Sequence, residues 1–575
     1  MAGADPERNV VTGTRPRRRR WMWWFGGGAL AVVVALGAAV EYAIHHAEPI
    51  LRRRVVASLE DRFKTPVALD RLYLSFANGI EVSGEGLRIG AATNEGGPPP
   101  VLTIRSFRFR TNVHQLLEPV MRISEVDVQG MQLNIPPKDK RGPLLAKAKH
   151  RRDRPKLSIV VDHIMCSDAV LTIETDKPGK QPMVFPIHDL VLHDVGGKKA
   201  MRFEAKLVNP KPVGDIASTG YVGPWDPDDP RETPVRGDYQ FTNADLGPIK
   251  GVAGILSSKG NFDGPLDEIH VTGETETPNF SVDSSEHPVD LHTEFDATVD
   301  GTNGDTRLNH IHATFLRTVL EVSGLVRRAS DVDTKVTGHV KNPGDDAGVQ
   351  GHFITITVDS GQARIEDLLR LAVKTSPPLM RGPMTLHAHM AIPPGQVSVS
   401  KKIEIEGRFG IRNSTLSNAH WQETIDRLSA RAQGNPDVAK ADAAPVAQSQ
   451  MSGSFTVRHG VIAIPDLHYQ VPGAQVQLAG RYTVTGETFQ FEGTVRTDAT
   501  ASAMLTGWKK WVAAPFDPLL KKDGAGLEVP VKIDGTRSDP KFGVDMGKLK
   551  SQVMSRLGGH GGKPKDETPQ PTPPH

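Results

Sequence analysis

The chain has 575 residues, a formal net charge of +2, 38% hydrophobic residues and 24% charged ones. That even charge balance speaks against a nucleic-acid surface, and the single cysteine, Cys166, excludes an intramolecular disulfide or a cysteine-based metal cluster. Aromatic residues make up only 6% while Gly numbers 56 and Pro 44, which suits a turn-rich sheet with one wet face better than a helical bundle or a doubly wound enzyme.

The first element in chain order is a membrane span. Arg15 to Arg20 read RPRRRR, and the next twenty residues, Trp21 to Val40, carry no charge. At about 1.5 Å per residue that length crosses a hydrocarbon core. Trp21, Trp23 and Trp24 stand where interfacial aromatics belong, beside the basic cluster. The competing reading is a cleaved signal peptide, but the apolar region is long for one and lacks a clean cleavage motif. Counting arginines on either side places the N-terminus in the cytoplasm. Beyond the span, Leu51, Val55, Leu59 and Phe63 recur every four residues and predict an amphipathic helix that ends before Pro66.

From Val67 onward the hydrophobic period is two. It appears in Ile354, Ile356 and Val358, in Ile403, Ile405, Phe409 and Ile411, in Val476 and Leu478, in Phe489 and Phe491, and in Val529, Val531 and Ile533. Ser323–Gly324, Gly480, Gly486 and Asn303–Gly304 read as interruptions or turns between such runs. Ile123 to Ile135 and Val161 to Ile173 share a pattern of strand, small polar turn and strand, a repeated hairpin design. Cys166 in the second of these reads as a small strand residue. Helices are predicted around Ile365–Val373, Trp421–Leu428 and Thr500–Val512. The expected organisation is a basic tail over 1–20, the span over 21–45, the connecting helix over 46–65, a β-rich body over 66–557 and a disordered tail over 558–575. Flexible loops are expected near 137–156 and 434–449.

Catalytic motifs are missing: there is no GxSxG, Walker loop, HExxH or Rossmann glycine signature. His387 and His389 could place two imidazoles on one strand face, but without a third ligand they read as polar-face residues. Gly301 to Thr306 is rich in oxygen ligands yet lacks calcium-loop spacing, so a hairpin turn is expected. Asp226, Asp228 and Asp229 read as a solvated turn. The expectation is a non-enzymatic protein with no cofactor, no metal site and no nucleic-acid partner.

Three segments carry a family resemblance. The order of basic tail, membrane helix and Pro49 to Gly90 (PILRRRVVASLEDRFKTPVALDRLYLSFANGIEVSGEGLRIG) resembles the start of the AsmA-like envelope proteins. Trp421 to Gly434 and Leu527 to Met546 resemble that family's closing segments, and Gly220 to Leu246 a bacterial branch of it. The resemblance implies an elongated, curved, largely antiparallel sheet with an apolar groove, related to bridge-like lipid transfer proteins. It also implies an inner-membrane anchor, a periplasmic body, phospholipid as cargo and other envelope proteins as partners. Strands with one apolar face must bury it, either by folding into a closed sandwich or by holding acyl chains in a trough. The groove candidates are Ile403, Ile405, Phe409, Ile411, Val476, Leu478, Phe489 and Phe491. The alternative function is a structural or regulatory scaffold that affects outer-membrane protein assembly.

The anchor makes a direct prediction. Val33→Arg puts a charge near mid-span at about 2.5–3.5 kcal/mol on insertion scales. The protein should leave the membrane fraction or be degraded, and undiminished sedimentation with membranes would show that another segment holds it there.

Overall fold

The computed structural model describes, apart from short interior gaps, residues 49–135, 158–328, 352–504 and 526–551. The predicted membrane span, the basic loop at 138–156, Asp226 to Asp229, most of Thr500–Val512 and the C-terminal tail lie outside them. No helix among the described residues is long and apolar enough to cross a membrane.

The protein is mainly β. Its first strands are β1 (Val67–Ser75), β2 (Ile80–Ile89), β3 (Leu102–Thr111), β4 (Val120–Ile135), β5 (Ser158–Ile173) and β6 (Met183–Val195). Then come β7 (Met201–Pro210), β8 (Val213–Val222), β9 (Pro234–Asp245), β10 (Val252–Ala253), β11 (Ile255–Pro265), β12 (Ile269–Val282) and β13 (Val289–Val299). The central group is β14 (Thr306–Phe315), β15 (Thr318–Arg328), β16 (His352–Arg364), β17 (Met380–Arg381), β18 (Pro383–Ile392), β19 (Glu404–Arg412) and β20 (Thr415–Leu416). The last are β21 (Gln450–Arg458), β22 (Val461–Val471), β23 (Ala474–Thr483), β24 (Thr488–Thr497), β25 (Glu528–Thr536) and β26 (Pro540–Val544). The helices are α1 (49–61), α2 (Ile365–Ala372), α3 (Val399–Lys402), α4 (Ala419–Ala432) and α5 (546–551).

Twenty-four strands belong to one sheet, and β17 with β20 makes a separate two-stranded pair. From β7 to β26 every ladder is antiparallel and joins strands close in sequence, so this part is a meander. The chain divides into two compact units. One comprises Met1–Asn134, Gly142–Ser167 and His193–Gly197; the other comprises Ile135–Arg141, Asp168–Leu192 and Lys198–His575.

The first unit has a closed core. Leu69, Val82, Phe109, Met121 and Val128 are buried, and Cys166 is buried with its thiol pushed up to about 11 by desolvation. Helix α1 adds Leu51 and Val55, the start of the predicted apolar stripe. It also occupies the outer edge of β1. Gly90 N–H donates to Pro66 O at 3.0 Å, which fixes Val67 and Leu69 as residues whose backbone groups point away from β2. There Arg52 Nε donates to Leu69 O at 3.0 Å and Val67 N–H to Glu60 Oε1 at 3.4 Å.

The two repeated hairpins expected from sequence are not hairpins. β4 and β5 each run 16 residues without reversal. Gly130 (φ 64°) and Asp168 (φ 55°) fall at the small polar dipeptides, and a single left-handed residue kinks a strand as a bulge without turning it back. Ser323–Gly324 and Gly480 likewise lie inside strands, in β15 and β23. Gly304 does fall at the β13–β14 connection, where its N–H donates to Asp300 O at 2.7 Å, and Asn303 lies outside the described residues.

In the second unit, α2 and α4 sit at one common margin of the strands. Residues Ala363, Met384 and Ile411 pack there with Ile365 and Leu368 of α2. Val471 and Ala474 pack with Ala432 and Ile425 of α4. Asn418 caps α4 by accepting from Trp421 N–H at 3.2 Å. Helix α2 is moored through two buried acids. Asp367 accepts from Arg317 N–H at 3.0 Å and from the Thr318 hydroxyl at 3.1 Å. Glu366 accepts from Gly382 N–H at 3.0 Å and from Arg364 and Arg317 at 2.7 Å each. Burial pushes the Glu366 carboxyl up, but these donors outweigh it and hold it below the ordinary glutamate range.

Because that folded-state pKa lies below the unfolded one, the unfolded chain takes up the proton first as pH falls. The contribution of Glu366 is therefore complete above the ordinary glutamate range and lost as pH falls through the depressed value. Glu366→Gln should lower stability at neutral pH by roughly 1–3 kcal/mol and weaken its acid dependence. Urea denaturation from pH 7 to pH 3 checks this; parallel curves for the two proteins would show that the charge is not what matters.

Candidate apolar face

Register decides which residues share a face, because side chains alternate along each strand and cross-strand partners point the same way. Followed from partner to partner, one transverse row starts at Phe203 and passes through Gly220, Gly237, Phe262, Val271 and Ala297. It continues through Leu308, Gly324, Ile356, Met390 and Ile405. It ends through Val457, Ile462, Tyr482, Phe489, Gly535 and Pro540. Seventeen strands thus contribute one residue each, and the Tyr482 hydroxyl is the only side-chain polar group in the row. At a strand spacing of about 4.8 Å the row is about 75 Å long.

These residues are neither buried nor fully exposed. Apart from Gly220 and Ala297, which are buried, every member of the row through Gly535 is half-buried. A second sheet packed face to face would bury the aliphatic members as it does in a sandwich core. Among the described residues, α2 and α4 cover the apolar face of this unit at one margin.

The row also has low relief. Phe stands directly opposite Gly in Phe203/Gly220, Phe262/Gly237, Phe295/Gly273 and Phe455/Gly407. The same occurs in Phe409/Gly453, Phe491/Gly480 and Phe489/Gly535, and in the first unit in Phe107/Gly84. A ring opposite glycine can lie down across the missing side chain. A Cβ added to Gly480 would meet the Gln490 carbonyl oxygen at 2.2 Å and Phe491 ring carbons at 2.6 Å, and one on Gly237 would meet the Thr219 carbonyl oxygen at 2.2 Å and Phe262 at 2.9 Å. Phe203 and Phe262 stack over the paired Gly220 and Gly237 with centroids 6.5 Å apart, and Tyr482 meets Phe489 at 4.9 Å.

The eight groove candidates are not one site. Ile405 and Phe489 belong to the long row, with Val476 and Leu478 half-buried on the same face. Phe409 partly, and Ile411 fully, belong to the packed corner against α2. Phe491 is buried over Gly480. Ile403 is not in a strand: it is the C-cap of α3, and its N–H donates to Val399 O at 2.9 Å. The reading missed Phe203, Phe262, Leu308, Met390 and Tyr482. Their common signal is register, which one strand's sequence does not contain.

The opposite face is charged. One row runs through Lys259, Glu274, Glu294, His312, Glu321, Asp359, His387 and Arg408 on consecutive strands. It borders a concavity of about 670 Å³ lined by Asp238, Asn261, Asp296 and His310 among others. Its polar groups are matched to one another: Lys259 to Glu274 at 2.7 Å, Asn261 to Asp238 at 2.6 Å, His312 to Glu321 at 2.8 Å. The ammonium of Lys259 holds the Glu274 carboxyl below its ordinary range. His387 pairs with Asp359 at 2.5 Å and His389 with Thr357 at 3.0 Å.

Compared with known proteins, the chain matches no protein-family model, no curated protein and no solved structure.

The Phe–Gly arrangement is testable. Gly480→Val sets a side chain against both the Phe491 ring and the Gln490 carbonyl oxygen and should destabilise the protein by about 1–3 kcal/mol. Gly361→Ala, with nothing within 4 Å of its new Cβ, should cost far less. Chemical denaturation of both variants checks the contrast; equal midpoints would mean that the ring does not depend on the glycine.

Proposed function

We propose that the apolar face of the second unit carries lipid acyl chains, and that the protein is an inner-membrane-anchored, AsmA-like envelope protein serving phospholipid transport and outer-membrane homeostasis. The observation that carries this reading is the seventeen-strand apolar row, which no second sheet buries among the described residues. Each methylene moved from water onto such a face gains about 0.8 kcal/mol, so a two-tailed lipid needs no polar site for its affinity. A low-relief track of Gly, Phe and aliphatic side chains suits linear chains that must slide as well as bind.

A curved groove draws support from two contacts. Helix α3 leaves the sheet between the end of β18 and the start of β19, the margin opposite α2 and α4. Yet Val399 N–H donates to Lys250 O at 3.2 Å and the Ser398 hydroxyl bonds Asp283, both at the α2–α4 margin of earlier strands. On a flat sheet those ends would be far apart. A twist of about 20–25° per strand, accumulated from β12 to β18, turns opposite margins toward each other, and closing the remaining five strand spacings needs the sheet to bend as well. The scaffold reading keeps the packed corner of Ala363, Met384 and Ile411 as its own support, since that corner is an ordinary closed core.

The two readings part at Ile405. In an open groove the carboxylate of Ile405→Asp stays hydrated, so the fold survives while lipid photo-crosslinking from Val476 and Leu478 falls several-fold. In a closed core the same change buries an unpaired charge and unfolds the unit. The measurement is thermal unfolding alongside crosslinking in membranes. Unfolding of the variant, with no lipid adduct from the parent protein, would leave the scaffold in possession.

A further inference from the structure

The apolar face carries one band of hydroxyl groups. Ser218 of β8, Tyr239 of β9, Ser258 of β11, Thr275 of β12 and Thr293 of β13 stand on five neighbouring strands. Each is an even number of residues from its strand's member of the long row (Gly220, Gly237, Phe262, Val271 and Ala297), which sets all five on the same face. Ser258 is paired directly with Thr275, and Thr275 with Thr293. All five are half-buried. Thr277, next along β12 on this face, is only 2% exposed. On β18, β19 and β21 the same face carries no hydroxyl, only aliphatic residues, Met, Phe and Gly.

The protons of the band can be followed one by one. Ser218 donates to Asp238 O at 2.9 Å and Ser258 to Glu274 O at 3.0 Å. With the Ser258 proton committed, the Tyr239 O–H donates to Ser258 Oγ at 3.1 Å. Burial pushes the Tyr239 phenol up, so it keeps that proton. Thr275 and Thr293 bond each other through their Oγ1 atoms, and one of them must be the donor. The other holds an O–H with no further partner among the described residues. Four of the five protons are taken and the fifth is not.

A lipid whose chains cover this face shuts water away from the fifth O–H, which then needs an acceptor or weakens binding. A methylene chain offers none. A phosphate offers several but brings charge, and no charged side chain stands on this face of strands β7 to β14 to meet it. An ester carbonyl is neutral, accepts hydrogen bonds and lies at the root of each acyl chain. We propose that the Thr275–Thr293 pair binds an ester carbonyl of a glycerolipid and so fixes where the head end of the lipid sits along the track. The phosphate stays outside in water, and the chains run toward Ala313 of β14 and Leu320 of β15, the next members of that row. The ester site presupposes the acyl-chain reading above and adds to it a choice of lipid class.

The test offers the full chain mixed micelles that hold equal amounts of a diester phosphatidylcholine and its diether analogue, matched in chain length and headgroup. Lipid that stays with the re-isolated protein is counted by mass spectrometry. The parent should retain diester over diether by roughly three- to tenfold, the worth of one hydrogen bond. Thr275→Val combined with Thr293→Val removes both hydroxyls with little change of shape, and this variant should retain the two lipids equally. Thr272→Val, on β12 but on the charged face, should keep the preference of the parent. Equal retention by the parent overturns the ester site and leaves the acyl-chain reading standing. A preference that survives the double substitution, or that Thr272→Val abolishes, does the same. Retention of neither lipid by the parent overturns the acyl-chain reading and the ester site with it. The comparison on the parent decides the matter even where a variant fails to fold.

Discussion

Everything on the apolar face depends on hydrogen-bond register being kept across sixteen successive ladders. Because side chains alternate with a period of two, a slip of one residue at any ladder would set a charged row beside an apolar one. The penalty is visible in the neighbouring row: next to Gly273, Phe295 and Val322 along their strands stand Glu274, Glu294 and Glu321. Register is pinned locally by short connections and by side chains that replace ladder bonds. Ser454 N–H donates at 2.8 Å to Asp466, at a bulge that also holds Pro465, which has no N–H to give. The Ser454 hydroxyl and N–H hold the Asp466 carboxyl below its ordinary range, so the bond that fixes register is charge-assisted.

The same bulges explain how far the sequence could be read. Fold class was legible, because Ile354, Ile356 and Val358, or Val476 and Leu478, alternate without interruption. So were α2 and α4, whose apolar stripes and terminating Pro or Gly stand in the sequence. What was not legible is where parity changes. Leu308 and Ile311 share a face although three residues separate them, as do Ile464 and Leu467, because a register shift falls between the members of each pair. A period-two reading assigns one of each pair to the wrong side. Glycine misled it in the other direction. Gly480 and Gly324 look like punctuation, yet each sits mid-strand where a neighbour comes too close for a side chain. At Gly480 the neighbours are the Gln490 carbonyl oxygen, which a Cβ would meet at 2.2 Å, and the Phe491 ring; at Gly324 it is the Thr355 carbonyl oxygen, also at 2.2 Å. No single-strand pattern reveals that a glycine faces a phenylalanine on the next strand.

The two units show what the alternation does under different cover. In the first unit α1 and the strands bury Leu69, Val82 and Val128 to below a tenth of their free exposure, and the apolar set is used up in an ordinary core. In the second, α2 and α4 add cover at one margin among the described residues. Burial follows them: Phe315, Ala363, Met384, Ile411, Val471 and Ala474 are buried at that margin, while Ile356, Met390, Ile405 and Ile462 stay half-buried further along the same strands. The buried acids Glu366 and Asp367 are tolerable because backbone N–H groups and arginines at that margin satisfy them.

A sheet with a half-buried apolar face would ordinarily be an aggregation hazard, and the opposite face bears on which partner it can accept. Glu274 stands directly across from Glu294, and Glu321 across from Asp359. Like charges in register destabilise a sheet unless water or a partner group intervenes; here Lys259 pairs with Glu274, and His312 and His387 bond Glu321 and Asp359. Such a face cannot be dried by another sheet at low cost, so stacking through it is disfavoured. The apolar face lacks that protection, and half-exposed aliphatic groups along about 75 Å gain most from a covering that is itself apolar and can follow a low surface. Acyl chains meet both conditions, whereas a second sheet would have to match the alternating glycine hollows and phenylalanine rings strand by strand.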